Sequence, residues 1–155
     1  MMQLEDGFTL SLNGLEELQA DMRRAIKRYP NKAEEALERS GKEFKQMVVQ
    51  ETKQAVKRKT GNLIKGYKVD PVTGYGINME TNFRGTAPHF HLLENGHEKV
   101  LPKTRKGKKL KNGGKNVGFV PGRLMVHATR KKYAVIFPEK MKKVCDEILR
   151  ESGLT

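Results

Sequence analysis

Three stretches of the chain have apolar residues every three or four positions, the spacing of one face of an α-helix. The first helix begins near Gly14, with Asn13 as its cap, and Pro30 stops it. The second is predicted over residues 32–57, with Asn31 and Glu34 as a capping box. The third lies near the end of the sequence, where Pro138 either kinks it or marks its start. The apolar faces are Leu15, Leu18, Met22, Ile26 and Tyr29; Ala33, Leu37, Phe44, Val48 and Ala55; and Tyr133, Phe137, Met141, Val144, Cys145 and Ile148.

Alternation of apolar and polar residues predicts short strands. One strand is predicted over residues 8–12. Residues 67–70 and 75–81 alternate on either side of a Pro- and Gly-containing turn, which indicates a β-hairpin. A further strand over residues 117–120 is predicted to pair with the segment around Val100 and Leu101.

Glycine and proline mark the ends of the remaining elements. Gly61, within Thr60-Gly61-Asn62, is predicted to end the long second helix in left-handed geometry. A short helix over residues 87–94 is predicted to start at Pro88 and to close at Gly96. Together the elements predict an α+β fold, with N-terminal amphipathic helices and a C-terminal helix packed on a small, mostly antiparallel sheet. We expect residues 1–155 to form a single domain.

Positive charge is concentrated in one part of the chain. The forty residues from Lys99 to Pro138 contain no Asp or Glu and twelve Lys or Arg. Since the whole sequence has 31 basic and 18 acidic residues, 19 basic and 18 acidic residues remain outside this window. The field is therefore local, and it indicates a polyanionic partner or an acidic protein surface nearby.

The most basic stretch is predicted to be a mobile loop over about residues 102–117, because between 103 and 116 only Leu110 is apolar. Its cations either contact phosphates without reading sequence, or order against an acidic neighbour during assembly. No aromatic residue lies between 99 and 116, so stacking on bases is not offered. The candidate partner-facing or DNA-facing residues are Lys103, Arg105, Lys106, Lys108, Lys109, Lys111 and Lys115.

Composition limits the function classes. Apolar residues make up 36% of the chain, aromatic residues 6%, and Trp is absent, so the core is modest and subunit contacts would add to it. The single cysteine, Cys145, excludes a disulfide within the chain and fits a reducing compartment. No apolar run approaches the roughly 20 residues that span a bilayer, and residues 1–12 do not resemble a secretory signal. We expect no membrane association.

No arrangement of residues predicts catalysis, a metal or a cofactor. His91 and His97 are six apart, so they would not converge on one helix face as the i, i+4 pair of a zincin does. Cys145 lies on an apolar helix face, where a small buried hydrophobe is the ordinary role. No GxSxG elbow or phosphate-binding GxxxxGK motif occurs. We therefore expect a protein that is not an enzyme.

Three segments resemble motifs of one known family. Thr60-Gly61-Asn62-Leu63-Ile64-Lys65 resembles a T-G-x-L-(K/R) signature, and residues 87–97, APHFHLLENGH, resemble a following A-P-[HY]…E-x-G-[HT] motif. Gly118-Phe119-Val120-Pro121-Gly122-Arg123 resembles a G-F-V-P-G-[RK] element. In this order they are similar to the neck, or tail-completion, proteins of long-tailed bacteriophages. The motif residues are Gly61, Leu63, Pro88, His89, Glu94, Gly96, His97, Phe119, Pro121, Gly122 and Arg123.

This resemblance implies a structural virion protein made in the bacterial host cytoplasm. Such proteins complete or terminate the tail, as a ring that is commonly a hexamer, and join it to the capsid connector. The implied partners are other copies of the chain, tail-tube proteins, head-connector proteins and DNA in the channel. The ring stoichiometry, the tail type and the layer of the neck (stopper, terminator or completion protein) stay open. The alternatives are a small basic nucleic-acid-binding protein acting outside the virion, and a metal-dependent nuclease built on His89, His91 and His97.

Overall fold

The structure, a computed structural model, describes residues 15–57 and 61–151. In chain order the elements are α1 (Leu15–Arg28), α2 (Pro30–Ala55), α3 (Asn62–Lys65), β1 (Tyr67–Val69), a 3₁₀ turn (Gly76–Asn78), β2 (Phe83–Gly85), α4 (Phe90–Asn95), β3 (Gly96–Val100), β4 (Thr104–Arg105), β5 (Lys108–Lys109), β6 (Asn116–Pro121) and α5 (Met125–Glu151). The predicted α+β architecture, with N-terminal helices, a C-terminal helix and small antiparallel sheets, is confirmed. The predicted strand over residues 8–12 and the Asn13 cap lie outside the described residues.

Only Tyr29 separates α1 from α2. Its backbone N–H donates to the Ala25 carbonyl (2.8 Å), and its carbonyl accepts from the Ala33 N–H (3.1 Å). Pro30 is the first residue of α2, where a missing N–H costs nothing because first-turn donors have no partner within the helix. The predicted capping box is therefore wrong: Asn31 lies inside the first turn, and no side-chain cap bond forms.

The three long helices contact one another, and parts of the predicted apolar faces of α1 and α5 meet in the core. Ala25 of α1 and Cys145 and Ile148 of α5 form a buried cluster, with Met22, Tyr29 and Val144 packed against it. Helix α5 runs continuously through Pro138, so a helix start at that proline is wrong. The helix begins thirteen residues earlier at Met125, and its first turns bury Met125 and Thr129 on the same face as Tyr133. Because Thr129 is polar, a search for apolar residues alone does not show these turns.

Five aromatic contacts form one continuous series from α4 through the β1–β2 sheet and α2 to α5. Strand β1 pairs antiparallel with β2, with Val69 opposite Phe83. The predicted partner strand over residues 75–81 is wrong: part of it forms the 3₁₀ turn, and only a single bridge joins Thr73 to Glu80. Strand β2 pairs with β1 instead, because the Phe83 ring packs on two other aromatic rings. The centroid of the Phe83 ring lies 5.3 Å from that of Tyr67 and 5.6 Å from that of Phe44.

Gly61 adopts the left-handed conformation that its motif predicts (φ 72°), but it precedes α3 rather than ending α2. Helix α2 already ends at Ala55. Helix α3 leads to Gly66, whose carbonyl accepts a hydrogen bond from the Thr86 N–H at 2.8 Å. None of the helices in the described ranges is long and apolar enough to cross a membrane.

Candidate functional site: a projecting basic ribbon

Strands β3 and β6 form a two-stranded antiparallel ribbon between α4 and α5. Gly96 lies opposite Pro121, His97 opposite Val120, and Val100 opposite Asn116. The predicted strand over residues 117–120 is confirmed. Its partner is β3, in which His97 and Glu98 lie opposite Val120 and Phe119, and a bulge between Glu98 and Val100 places Val100 opposite Asn116. We call residues 96–121 the ribbon. Every residue of β6, and every residue of β3 except Gly96, is exposed.

The outer part of the ribbon, residues 103–111, contains a second small hairpin, which we call the tip. Thr104 pairs with Lys109 and Arg105 with Lys108, around a two-residue turn at Lys106 and Gly107. Both turn residues have positive φ (52° and 76°), as the turn types that join tight hairpins require. The pattern predicts this stretch as irregular. A Lys-Gly pair is a weaker hairpin signal than Asn-Gly, and no apolar alternation flanks it.

Apolar side chains are exposed along the ribbon. Eight large hydrophobic residues of the described chain are exposed, and six of them lie between residues 100 and 124. Phe119 is 63% exposed even though its ring lies against Gly96. Two-stranded sheets in water are marginally stable without a packed face. The ribbon therefore presents an exposed apolar surface made of Val100, Leu110, Val117, Phe119 and Val120, and Leu124 is exposed just beyond its base.

None of the seven cations predicted to face a partner has an acidic partner within the described part of the chain. The six ion pairs found there lie in the helices and in the β1–β2 sheet, among them Glu43–Lys140 and Asp70–Arg84. Arg105 and Lys108 lie opposite each other and so share one face of the tip, while Lys109 lies on the other face. The tip is thus cationic on both faces.

Glu94 connects the base of the ribbon to α5. Its carboxylate is 8% exposed and accepts two backbone hydrogen bonds, from Val126 N–H (3.1 Å) and His127 N–H (2.9 Å). These donors belong to the first turn of α5, where no helical acceptor exists. The Leu93 carbonyl accepts a further bond from Arg123 N–H (2.6 Å). The Glu94 carboxylate of α4 therefore caps the N-terminus of α5, and it joins the two helices that lie before and after the ribbon in the chain.

Two motif glycines allow this close approach. A Cβ on Gly122 would lie 2.1 Å from the Glu94 carbonyl oxygen, and one on Gly96 would lie 2.5 Å from the Val120 carbonyl oxygen. Gly96 also has φ 83°, which disfavours any side chain. The structure thus brings together Glu94, Gly96, Pro121, Gly122 and Arg123 of two separate motifs. Their shared role is to hold the ribbon's base.

The other motif residues lie elsewhere. Gly61 and Leu63 belong to the start of α3, and Pro88 and His89 precede α4. These two segments are neighbours, because a Cβ on Gly66 would lie 2.7 Å from the Ala87 nitrogen. His97 and Phe119 lie on the ribbon itself.

No group of three or more His, Cys, Asp or Glu in residues 15–57 and 61–151 is arranged to hold a metal ion. His89, His91 and His97 are exposed on α4 and β3 and on the turn before them. Burial raises the pKa of the Cys145 thiol above its ordinary value, helped by the nearby carboxylates of Asp21 and Asp146. A raised thiol pKa lowers the thiolate fraction, which is the opposite of an activated nucleophile.

Sequence reasoning missed an apolar groove in the helical body. It has a volume of about 440 Å³ and lies between α2, the β1–β2 sheet and α5. Its apolar lining includes Leu37, Phe44, Val69, Phe83, Ala134 and Phe137. The helical patterns show these residues only as core positions, because a groove arises from the gap between elements and not from any one of them.

A family model described as "Bacteriophage HK97-gp10, putative tail-component" matches residues 16–96. The chain belongs to this family. The match confirms the predicted relationship to phage neck and tail proteins, and it makes the chain a phage tail component, a protein of the virion. No curated protein and no solved structure matches the chain. The matched region of this tail component runs from α1 to Gly96, so most of the ribbon and all of α5 lie beyond it.

Proposed function

We propose that this tail component is a structural, non-enzymatic subunit of a homo-oligomeric ring at the head–tail junction, completing the tail and joining it to the capsid connector. The observation that carries the proposal is the exposed apolar surface of the ribbon. A two-stranded sheet that is solvated on both sides gains its missing packing from another protein surface. The family supports a tail component, and the ribbon supplies the contact that a ring needs.

The surface that receives the ribbon is the apolar groove of the next copy. Ribbons would not pair with each other along their length, because each ribbon carries seven cations between residues 103 and 115, a stretch without a carboxylate. A ribbon entering a groove joins two different surfaces of the same chain. Such a head-to-tail contact repeats from copy to copy and gives a ring when its rotation closes, whereas a contact between identical surfaces stops at a dimer.

The expected strength follows from the exposed side chains. Complete burial of a Val or Phe side chain contributes about 1.5–3 kcal/mol. Val100, Val117, Phe119 and Val120 are 39–63% exposed, so burying what remains contributes about 3–6 kcal/mol per contact before association costs. One contact is therefore weak. A closed ring, in which every subunit makes two contacts, is favoured over an open dimer.

The first test measures the mass of the purified protein by light scattering over a range of concentrations. We expect Phe119→Asp, on the ribbon, and Ala134→Arg, in the groove, each to prevent the large species. Tyr75→Asp is the matched control, because Tyr75 is a 93% exposed aromatic residue outside the ribbon and the groove. Circular dichroism of each variant checks that the helices remain.

Mixing the two variants tests the head-to-tail geometry. Phe119→Asp keeps an intact groove and Ala134→Arg keeps an intact ribbon, so the mixture forms one good contact and stops at a heterodimer. A full ring from the mixture, or a ring from either variant alone, contradicts the proposed contact. Particles assembled without the protein should contain filled capsids and tails that fail to join; normal joining would refute the placement at the junction.

A further inference from the structure

The tip is suited to a different partner from the apolar part of the ribbon. It carries Lys103, Arg105, Lys106, Lys108, Lys109 and Lys111, and its only large apolar residue is Leu110. Protein–protein interfaces are enriched in aromatic residues and depleted of lysine. The composition of the tip is the reverse of that. Phosphate groups, by contrast, are bound by flexible lysine and arginine side chains acting as point charges.

Within residues 15–57 and 61–151, many of the carboxylates that could receive the tip are already balanced by nearby cations. Most acidic residues of α2 and α5 alternate with lysine or arginine, and six carboxylates of the described chain already pair with cations, including Glu38, Glu51 and Glu151. Outside residues 99–138 the formal charges nearly cancel. The tip's charge therefore favours a polyanion that is not another copy of this chain.

The geometry favours double-stranded nucleic acid. A two-stranded ribbon is narrow enough for the major groove, which is about 12 Å wide. Within the tip, cations lie on both ribbon faces and at the Lys106–Gly107 turn, so a ribbon between two phosphate backbones directs charge to both. Single-stranded DNA is bound chiefly by base stacking on aromatic side chains, and none lies between residues 99 and 116.

We propose that the tip is a sequence-independent contact for the phosphate backbone of duplex DNA. The inference deepens the proposed function by naming the tip's partner, and it rests on that function only for the presence of DNA. Lys-phosphate contacts release counterions, so the logarithm of the binding constant falls with the logarithm of salt concentration by about 0.9 per phosphate contacted. The contact does not depend on the base sequence, because the lysine and arginine side chains of the tip bind phosphate groups and not base edges.

The test measures binding to a fluorescent duplex of mixed sequence by anisotropy, as a function of salt. The tip variant replaces Arg105, Lys106, Lys108 and Lys109 with Gln. The matched control replaces Lys27, Lys53, Lys142 and Lys143 with Gln, which removes the same charge from exposed body residues that form none of the ion pairs of the described chain. Single strands of the same sequence and a polyglutamate of similar length serve as competitors.

We expect the tip variant to bind the duplex at least about 50-fold more weakly at about 0.1 M salt, with a salt slope lower by about 2 to 3.5. The control should change affinity by less than about 5-fold. If the tip variant and the control lose the same affinity for the duplex, the loss reflects net charge alone, and the proposal is overturned. Polyglutamate or single strands competing as well as the duplex would also overturn it, the former in favour of an acidic protein partner.

Failure of the ring and failure of the tip can be told apart with Phe119→Asp. This variant loses the proposed subunit contact but keeps every cation of the tip. If it binds the duplex with the salt slope of the unaltered protein, counted per subunit, the tip contact stands independently of ring closure. If ring formation is normal and no variant binds DNA, the DNA contact alone is wrong.

Discussion

Glu94 provides the sharpest test of how the ribbon is held, because its carboxylate caps α5, a helix that begins 31 residues later at Met125. Replacing it with alanine removes the acceptor for the N–H groups of Val126 and His127. A hydrogen bond to a charged group contributes about 1.5–3 kcal/mol, and losing a helix cap costs about 0.5–2 kcal/mol. We therefore expect Glu94→Ala to lower the free energy of unfolding by about 3 kcal/mol.

In a chain of 155 residues, 1 kcal/mol corresponds to roughly 2–4 °C in melting temperature, so the expected loss is about 6–12 °C. Glu94→Gln keeps one oxygen acceptor but turns an amide NH₂ toward the second N–H. Its stability should fall between those of Glu94→Ala and the unaltered protein. Glu98→Ala is the control, because Glu98 is exposed four residues further on and lies outside the ion pairs of the described chain; we expect a change within about 0.5 kcal/mol.

Urea unfolding followed by far-UV circular dichroism gives these free energies, at one fixed protein concentration because the proposed subunit contacts would add to stability. The capping argument fails if Glu94→Ala and Glu98→Ala lose the same amount. The argument for charge fails if Glu94→Gln is as stable as the unaltered protein.

Three further outcomes follow from buried groups. Gly122→Ala should lower the free energy of unfolding by more than about 2 kcal/mol, because the new Cβ would lie 2.1 Å from the Glu94 carbonyl oxygen. A smaller loss in urea unfolding would mean that the backbone at the base of the ribbon shifts at little cost. Burial raises the pKa of Tyr67 above 10, outweighing its hydrogen bond with Thr52. The folded state therefore favours the neutral phenol of Tyr67, and this contribution to stability is complete below about pH 10 and is lost as the pH rises through the folded-state pKa. Urea unfolding at alkaline pH should accordingly show a smaller fall of stability with pH for Tyr67→Phe than for the unaltered protein, whereas the exposed control Tyr75→Phe should behave like the unaltered protein. Cys145 should react with a thiol reagent much more slowly in the folded protein than in urea, and equal rates would contradict its burial.

The sequence predicted well wherever one residue type had one structural use. Apolar spacing placed the faces of α1, α2 and α5, and glycine predicted the left-handed conformation of Gly61 and the end of α4 at Gly96. Prediction from the sequence failed where one residue type is compatible with two different structural positions. Proline is tolerated both after a helix and in its first turn, so Pro30 did not reveal that α2 starts there.

Long-range packing explains the remaining differences. The partner of β1 was decided by Phe83 packing on Tyr67 and Phe44, which alternation within residues 75–81 cannot express. Within the candidate site, the cations were predicted as a group, but the hairpin that arranges them and the groove in the body were not. Glu94 was predicted only through a family motif. Its hydrogen bonds to α5 arise from tertiary structure, 32 and 33 residues away along the chain.

The ribbon enters and leaves the helical body at one place, with Gly96 directly opposite Pro121. Its length is therefore independent of the positions of α4 and α5. Adding or removing paired residues changes the reach by about 3.4 Å for each residue in a strand, and neither helix has to move. Insertions and deletions in the ribbon would therefore change how far it reaches, while the sequence of the helical core stays the same.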